Sequence, residues 1–150
     1  HADLREEYDG EKYSHATVMR WVAEVVGGSN LYQLGIRSAT EDEISYAQNE
    51  CNFFPETVLE PLEKVVEKIG CLPVYITVDI DCVDPGYAPG TGTPEPAGCT
   101  PHQIIKAIYA LNSLNVVGFD LVEVSPPSDR SDCTSLLAAK ILREALLSFT

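Results

Sequence analysis

The sequence predicts an α/β fold of three layers, α/β/α, in which helices lie on both sides of a mainly parallel sheet. Helical and strand-like segments alternate along the chain, which is typical of parallel sheets. Residues 74–78 form an unbroken apolar run, as expected for a strand that is covered on both faces. Acidic residues follow the two clearest strands, at the edge where α/β proteins bind their ligands.

In the first part of the chain, Ser14 is a suitable cap for a helix that extends to the Gly27-Gly28 pair. A short strand is predicted over residues 31–36 and a short helix over residues 41–49. A clearer amphipathic helix begins at Thr57 and ends before Gly70.

The second part begins with the apolar strand at residues 74–78, followed by a long loop rich in Pro and Gly over residues 79–100. Pro101 is predicted at the first position of a helix that extends to about Leu111. A strand over residues 116–122 and a helix over residues 136–147 complete the order of elements.

The composition limits the classes of partner. The net charge of −13 argues against nucleic acid and is compatible with a cationic ligand or metal ions, although a solvated acidic surface would also explain it. No apolar run reaches the length of a membrane span, so no membrane partner is expected. The five cysteines include no Cys-x-x-Cys pair, which argues against structural zinc and favours reduced thiols in the cytoplasm.

The segment most indicative of chemistry includes Asp79, Asp81 and Asp84, after the strand at 74–78. Residues i and i+2 at the end of a strand point to the same side, so Asp79 and Asp81 are expected to address one site. Two carboxylates held this close repel each other unless a divalent cation lies between them. A solvated Asp-rich turn is the alternative, but the buried strand before it and the rigid loop after it favour a metal site.

A second segment, His1-Ala-Asp3, is weak by itself and gains its meaning from Asp79 and Asp81. Together they offer one imidazole and three carboxylates, a donor set suited to manganese or zinc. This set would hold two metal ions only with further ligands.

These motifs together resemble the ureohydrolases, the arginase and agmatinase family, whose members carry Asp-Ala-His-x-Asp and then Ser-x-Asp-x-Asp-x-x-Asp-Pro. The run Ala88-Pro-Gly-Thr-Gly-Thr-Pro94 resembles the agmatinase branch, because arginases usually differ where Pro89-Gly90 stands here. The resemblance implies that residues 1–150 are the C-terminal part of a single ureohydrolase catalytic domain, incomplete at the N-terminus. The family's aspartate before Ala-His and its upstream Gly-Gly-Asp-His histidine have no counterpart.

The resemblance implies a role for each site residue. His1 and Asp81 would bind one Mn²⁺ ion, Asp3 would bind the other, and Asp79 would bridge the two. His15 would shuttle protons, and Glu123 would bind the substrate guanidinium. Asp84 and Asp120 would support the site from behind the ligands. Without the family, His15 in a first helical turn and Glu123 at a strand end would be interpreted as structural or surface residues, as we interpret His102.

The expected reaction is hydrolysis of a small cationic guanidino compound by a hydroxide that two manganese ions hold, most simply agmatine to putrescine and urea. An arginase or a guanidinobutyrase is the nearest alternative. A non-catalytic metal-binding or oligomer-forming module and an amide deacetylase are alternatives of other classes. The family also implies a cytoplasmic homo-oligomer, a trimer or hexamer.

Overall fold

A computed structural model of the protein describes residues 1–149, which divide into two compact units, His1–Thr57 and the remainder from Val58. Among the helices of residues 1–149, none has both the length and the apolar character that crossing a bilayer requires.

The first unit pairs two parallel strands with two helices. A 3-10 turn at His15–Thr17 leads into α1 (Val18–Val26), and β1 (Tyr32–Ile36), α2 (Glu41–Glu50) and β2 (Asn52–Pro55) follow. β1 and β2 are parallel, with Tyr32 opposite Asn52. Five side chains form the buried core of this unit: Ala2, Leu4, Ala23, Leu31 and Ala47.

The second unit also contains a parallel pair. Its elements are α3 (Leu62–Ile69), β3 (Pro73–Asp79), α4 (Pro101–Ala110), β4 (Asn115–Val122) and α5 (Cys133–Ser148). β3 and β4 run parallel with Asp79 opposite Val122, so both strands end at the same edge. α4 begins with Pro at its first turn, and its cap is Thr100, whose hydroxyl accepts from the Gln103 N–H.

The α/β class with parallel strands is confirmed, and most elements lie where the sequence predicts them. The helix expected from Thr57 begins instead at Leu62, directly after Pro61. The ring of Pro61 disfavours helical backbone at the residue before it, which delays the helix. The short strand β2 was not predicted.

The expectation that both faces of β3 are covered is wrong for the described chain. The Tyr75 side chain is 61% exposed, and Thr77 on the same face is exposed as well. The Tyr75 ring lies over β4, where a Cβ on Gly118 would be 2.5 Å from two ring carbons. The Tyr75 ring thus covers Gly118 of β4, on a sheet face that the apolar run predicted to be buried under a helix.

Candidate active site

Residues 1–5 form an irregular segment that the core of the first unit holds in place. Ala2 and Leu4 are each only 1% exposed, whereas His1 and Asp3 are half-buried. Burial of Ala2 and Leu4 therefore places the two predicted metal ligands at fixed positions between core residues.

Two buried polar side chains fix the backbone of this segment. The Gln33 side-chain amide donates to the Ala2 carbonyl at 2.7 Å, and the Leu4 N–H donates to Glu43 Oε1 at 2.9 Å. Glu43 also accepts from the N–H of Thr40, the cap of α2. Sequence reasoning missed both residues, although the spacing of Thr40 and Glu43 is that of a reciprocal helix cap.

Asp3 has a backbone conformation that few residues adopt. Its φ is +53°, in the left-handed region that is uncommon for residues other than glycine. Its carbonyl accepts from the N–H groups of Met19 and Arg20, at 3.0 and 3.3 Å. The first turn of α1 therefore holds the strained peptide in place, as is common at functional sites.

His15 begins the 3-10 turn before α1, and its side chain is exposed. The imidazole contacts the Tyr8 ring edge to face, with ring centroids 5.2 Å apart. The guanidinium of Arg5 lies over the same Tyr8 ring, 5.1 Å from its centroid. Packing on Tyr8 orients the imidazole while leaving it open to water.

In the second unit, Asp79 is the last residue of β3 and Asp81 lies in the 3-10 turn Ile80–Cys82. The strand ends before Asp81, so the alternation of side chains along a strand does not apply to this pair, and their sharing of one site stays a prediction. A direct hydrogen bond links them, from the Asp81 N–H to Asp79 Oδ1 at 2.9 Å. Asp81 is only 3% exposed.

Burial first, and then the negative charges of Asp81 and Glu123, raise the pKa of Asp79 from 3.8 to about 7, against the lowering effect of the Asp81 N–H. An acidic group in this position favours either a proton or a cation. Hard carboxylate oxygens are ligands that Mn²⁺ accepts, so the donor chemistry of this pair fits the predicted metal.

Glu123 directly follows β4, at the same sheet edge as Asp79. Its side chain is exposed and its φ is +67°, again in the left-handed region. The Thr91 hydroxyl donates to the Glu123 carbonyl at 2.9 Å. The residue predicted to bind the guanidinium thus has a held backbone and an accessible carboxylate.

Asp120 lies within β4, three residues before Glu123. Its carboxylate accepts from the Thr77 hydroxyl at 2.6 Å and from the Tyr75 hydroxyl at 2.8 Å. These two bonds link β3 to β4 through their side chains. Asp120 therefore braces the two strands that end in Asp79 and Glu123.

Asp84 organises the loop between β3 and α4. Its carboxylate accepts from the N–H groups of Gly86 and Ala97, each at 2.8 Å, and of Gly98 at 3.3 Å. These bonds close the long loop into a fixed shape. His102, in the first turn of α4, is exposed as predicted.

Over residues 1–149, neither unit brings three or more His, Cys, Asp or Glu side chains close enough together to hold a metal ion. The first unit supplies His1, Asp3 and His15, and the second supplies Asp79, Asp81 and Glu123.

A model of the Arginase family matches residues 1–148. The chain belongs to the Arginase family. The agmatinase of Bacillus cereus is 46% identical over 152 residues, an alignment that covers 99% of this chain and 52% of that protein. The guanidinobutyrase of Pseudomonas aeruginosa is 39% identical, with 97% of this chain and 49% of that protein covered.

Solved structures of the Arginase family have the same fold. The crystal structure of the agmatine ureohydrolase of Thermoplasma volcanium matches with a TM-score of 0.88 at 36% identity, over 99% of this chain and 52% of that one. The chain spans about half the length of the curated relatives it matches. The predicted membership of the family, with agmatinases among the relatives, is confirmed.

Proposed function

We propose that this chain forms part of a catalytic domain that hydrolyses a guanidino compound, with agmatine as the favoured substrate and putrescine and urea as products. The observation that carries the proposal is the sheet edge of the second unit. There the acidic pair Asp79 and Asp81 follows β3, and Glu123 follows the adjacent strand β4 in a strained conformation.

Glu123 would bind the substrate. A guanidinium group presents a planar fork of N–H donors, and a carboxylate accepts two of them in parallel, with charge assisting both bonds. The exposure of Glu123 leaves its oxygens accessible to such a cation. Relatives named agmatinase and guanidinobutyrase support this class of substrate.

The candidate ligands of two Mn²⁺ ions remain His1, Asp3, Asp79 and Asp81, as the family resemblance implies, together with ligands from a further segment. The ions would supply a Lewis acid that lowers the pKa of water toward neutrality. The half-length alignment to the relatives supports the need for a further segment.

The remaining steps belong to side chains of this chain. Glu123 would orient the guanidinium through the charge-assisted bonds described above. Once water has added to the guanidinium carbon, Asp3 would carry a proton to the amine that leaves as the C–N bond of the adduct breaks. His15, exposed and packed on Tyr8, exchanges protons with bulk water, a role that suits a side chain whose ordinary pKa is near neutrality.

A non-catalytic module derived from such an enzyme is the second candidate. It is favoured by the observation that, in the part of the chain described, neither unit gathers three metal ligands. Arginase activity is less favoured, because Pro89-Gly90 differs from the pair usual in arginases.

Metal content decides between the two candidates. We would dialyse two proteins against Mn²⁺ and analyse them for manganese: this chain, and this chain fused behind the upstream remainder of the Bacillus cereus agmatinase. Two ions per chain in the fusion and fewer in this chain alone would support the proposal. Two ions bound tightly by this chain alone would show that the ligand set is wrong. Manganese in neither protein would leave the non-catalytic module.

Urea release from agmatine, guanidinobutyrate and arginine then tests the reaction. Glu123→Gln is the matched variant, because it preserves the shape of the side chain and removes its charge. We expect it to retain its manganese and to lose turnover by about a hundredfold, the value of a charge-assisted hydrogen bond. Unchanged turnover in this variant would exclude Glu123 as the guanidinium ligand.

A further inference from the structure

A loop remote in sequence clasps the turn that carries Glu123. Thr91 and Val124 pair in an antiparallel bridge, and the Ser125 N–H donates to the Gly90 carbonyl at 2.8 Å. We call residues 89–92 the Pro-Gly loop and residues 123–125 the Glu123 turn. Their pairing joins the loop after β3 to the end of β4.

Thr91 contacts Glu123 directly. Its side chain is only 3% exposed, and its hydroxyl donates to the Glu123 carbonyl at 2.9 Å. A Cβ placed on Gly92 would lie 3.9 Å from Glu123 Oε2, so the carboxylate itself lies beside the Pro-Gly loop. The loop therefore contacts the main chain of Glu123 and lies beside its side chain.

The Pro-Gly loop is in turn anchored to the start of α5. The Gly90 N–H donates to the buried Thr134 hydroxyl at 2.7 Å. A Cβ on Gly90 would lie 2.7 Å from Asp129 Cγ and 2.9 Å from its Cα, closer than side chains approach. Asp129 is buried and accepts from the N–H of Ser135 at 2.8 Å. Only glycine at position 90 lets the loop come this near.

The hydrogen bonds at Asp129 also keep it charged. Burial acts to raise its pKa, but the hydrogen bonds from Ser135 and Thr134 outweigh burial and lower the pKa. An ionised Asp129 therefore fixes the first turn of α5, against which Gly90 packs. A rigid base of this kind can hold a strained turn.

The strained turn is Glu123 itself. Left-handed backbone at a residue with a Cβ costs about 1–2 kcal/mol and persists only where surrounding contacts enforce it. Thr91 supplies such a contact at the Glu123 carbonyl, and the bond from Ser125 to Gly90 fixes the following peptides. Without them, Glu123 would relax toward extended backbone and its carboxylate would point elsewhere.

We propose that Thr91 and Gly90 are positioning residues that lock Glu123 in its left-handed conformation and so aim its carboxylate at the substrate's guanidinium. The inference rests on the proposed function for the identity of the substrate, but the lock itself can be observed without any substrate. It also explains why position 90 of the Pro-Gly loop is a glycine.

The test compares Thr91→Val, which removes the hydroxyl at nearly constant volume, with Thr91→Ser, which keeps it. The ¹³Cα and ¹³Cβ chemical shifts of Glu123 report whether its backbone is left-handed, and circular dichroism confirms that each variant is folded. We expect these shifts to move toward extended values in Thr91→Val and to stay at the wild-type position in Thr91→Ser.

Kinetics in the manganese-loaded form that releases urea provide the second arm. We expect Thr91→Val to raise KM for agmatine by about five- to tenfold with a smaller change in kcat, and Thr91→Ser to restore KM. If the ¹³C chemical shifts of Glu123 stay unchanged in folded Thr91→Val, Thr91 does not hold Glu123 in its left-handed conformation and the proposal is refuted. Moved shifts with an unchanged KM would overturn its role in substrate binding. If the wild-type protein acts on no guanidino compound, both the proposed function and the role of Thr91 in substrate binding are refuted. The ¹³C chemical shifts of Glu123 would still show whether Thr91 holds its backbone in the left-handed conformation.

Discussion

Asp79→Asn is expected to stabilise the metal-free protein at neutral pH. In the folded state the pKa of Asp79 is about 7, against an ordinary value of 3.8. Ionising this group therefore opposes folding, and the loss of stability accumulates as pH rises from 3.8 to about 7 and is constant above that. At about 1.4 kcal/mol per pH unit, the full difference is on the order of 4 kcal/mol.

Roughly two-thirds of this difference, ~3 kcal/mol, accumulates between about pH 5 and pH 8. The assay is urea denaturation followed by circular dichroism, at both pH values and with a chelator present. We expect the free energy of unfolding of the wild type to fall relative to that of Asp79→Asn as pH rises.

Asp42→Asn is the matched control, since it removes one charge from an exposed position in the first turn of α2. Its pH dependence should parallel that of the wild type. If Asp79→Asn also runs parallel to the wild type, then the Asp79 carboxylate is solvated and the reasoning from burial is refuted.

Three further outcomes are expected. Glu144→Gln should lower the midpoint of thermal unfolding, because hydrogen bonds led by that from Tyr109 hold the pKa of Glu144 down at about 2; the deficit should shrink as pH falls from 4.5 toward 2, where the wild type also loses its charge. Gly90→Ala should destabilise the protein by roughly 1–3 kcal/mol in chemical denaturation, whereas Gly92→Ala, with only an ordinary contact at 3.9 Å, should not. Asp84→Ala should speed hydrogen exchange of the loop amides that donate hydrogen bonds to this carboxylate, with no change in the exchange of α2.

The parts of the fold that were predicted carry strong local signals. Gly27 ends α1, and Pro101 begins α4. The pattern of apolar residues located β3 and β4 within one or two residues of their ends. These signals act over a few residues, so one sequence suffices to interpret them.

The parts that were missed depend on contacts between distant residues. β2 has only two aromatic residues, Phe53 and Phe54, before Pro55, and it exists because it pairs with β1. Glu43 is polar and lies on a helix with a thin apolar face, yet it is buried because Leu4 donates to it across 39 residues. No local pattern indicates such a partner.

The candidate site shows the same division. The sequence motif indicated Asp79 and Asp81 as candidate site residues, and the family resemblance added Glu123 and gave each a role that stays a prediction. The strained backbone of Asp3 and Glu123, and the clasp by Thr91, follow from tertiary hydrogen bonds that the motifs do not encode. Residue types thus allowed a prediction of the chemistry at the site, whereas the backbone conformations that orient its side chains could not be predicted.

The anchoring of residues 1–5 has a consequence for how this site can evolve. Peptide groups, which every residue except proline offers in full, make the bonds that hold Ala2, Asp3 and Leu4. The backbone bonds that anchor this segment therefore do not depend on which side chains the segment carries. The choice of residue at position 3 is more restricted, because its positive φ favours Asp, Asn or Gly. The backbone conformation thus limits the choice of side chain at position 3, whereas the bonds that anchor the segment set no such limit.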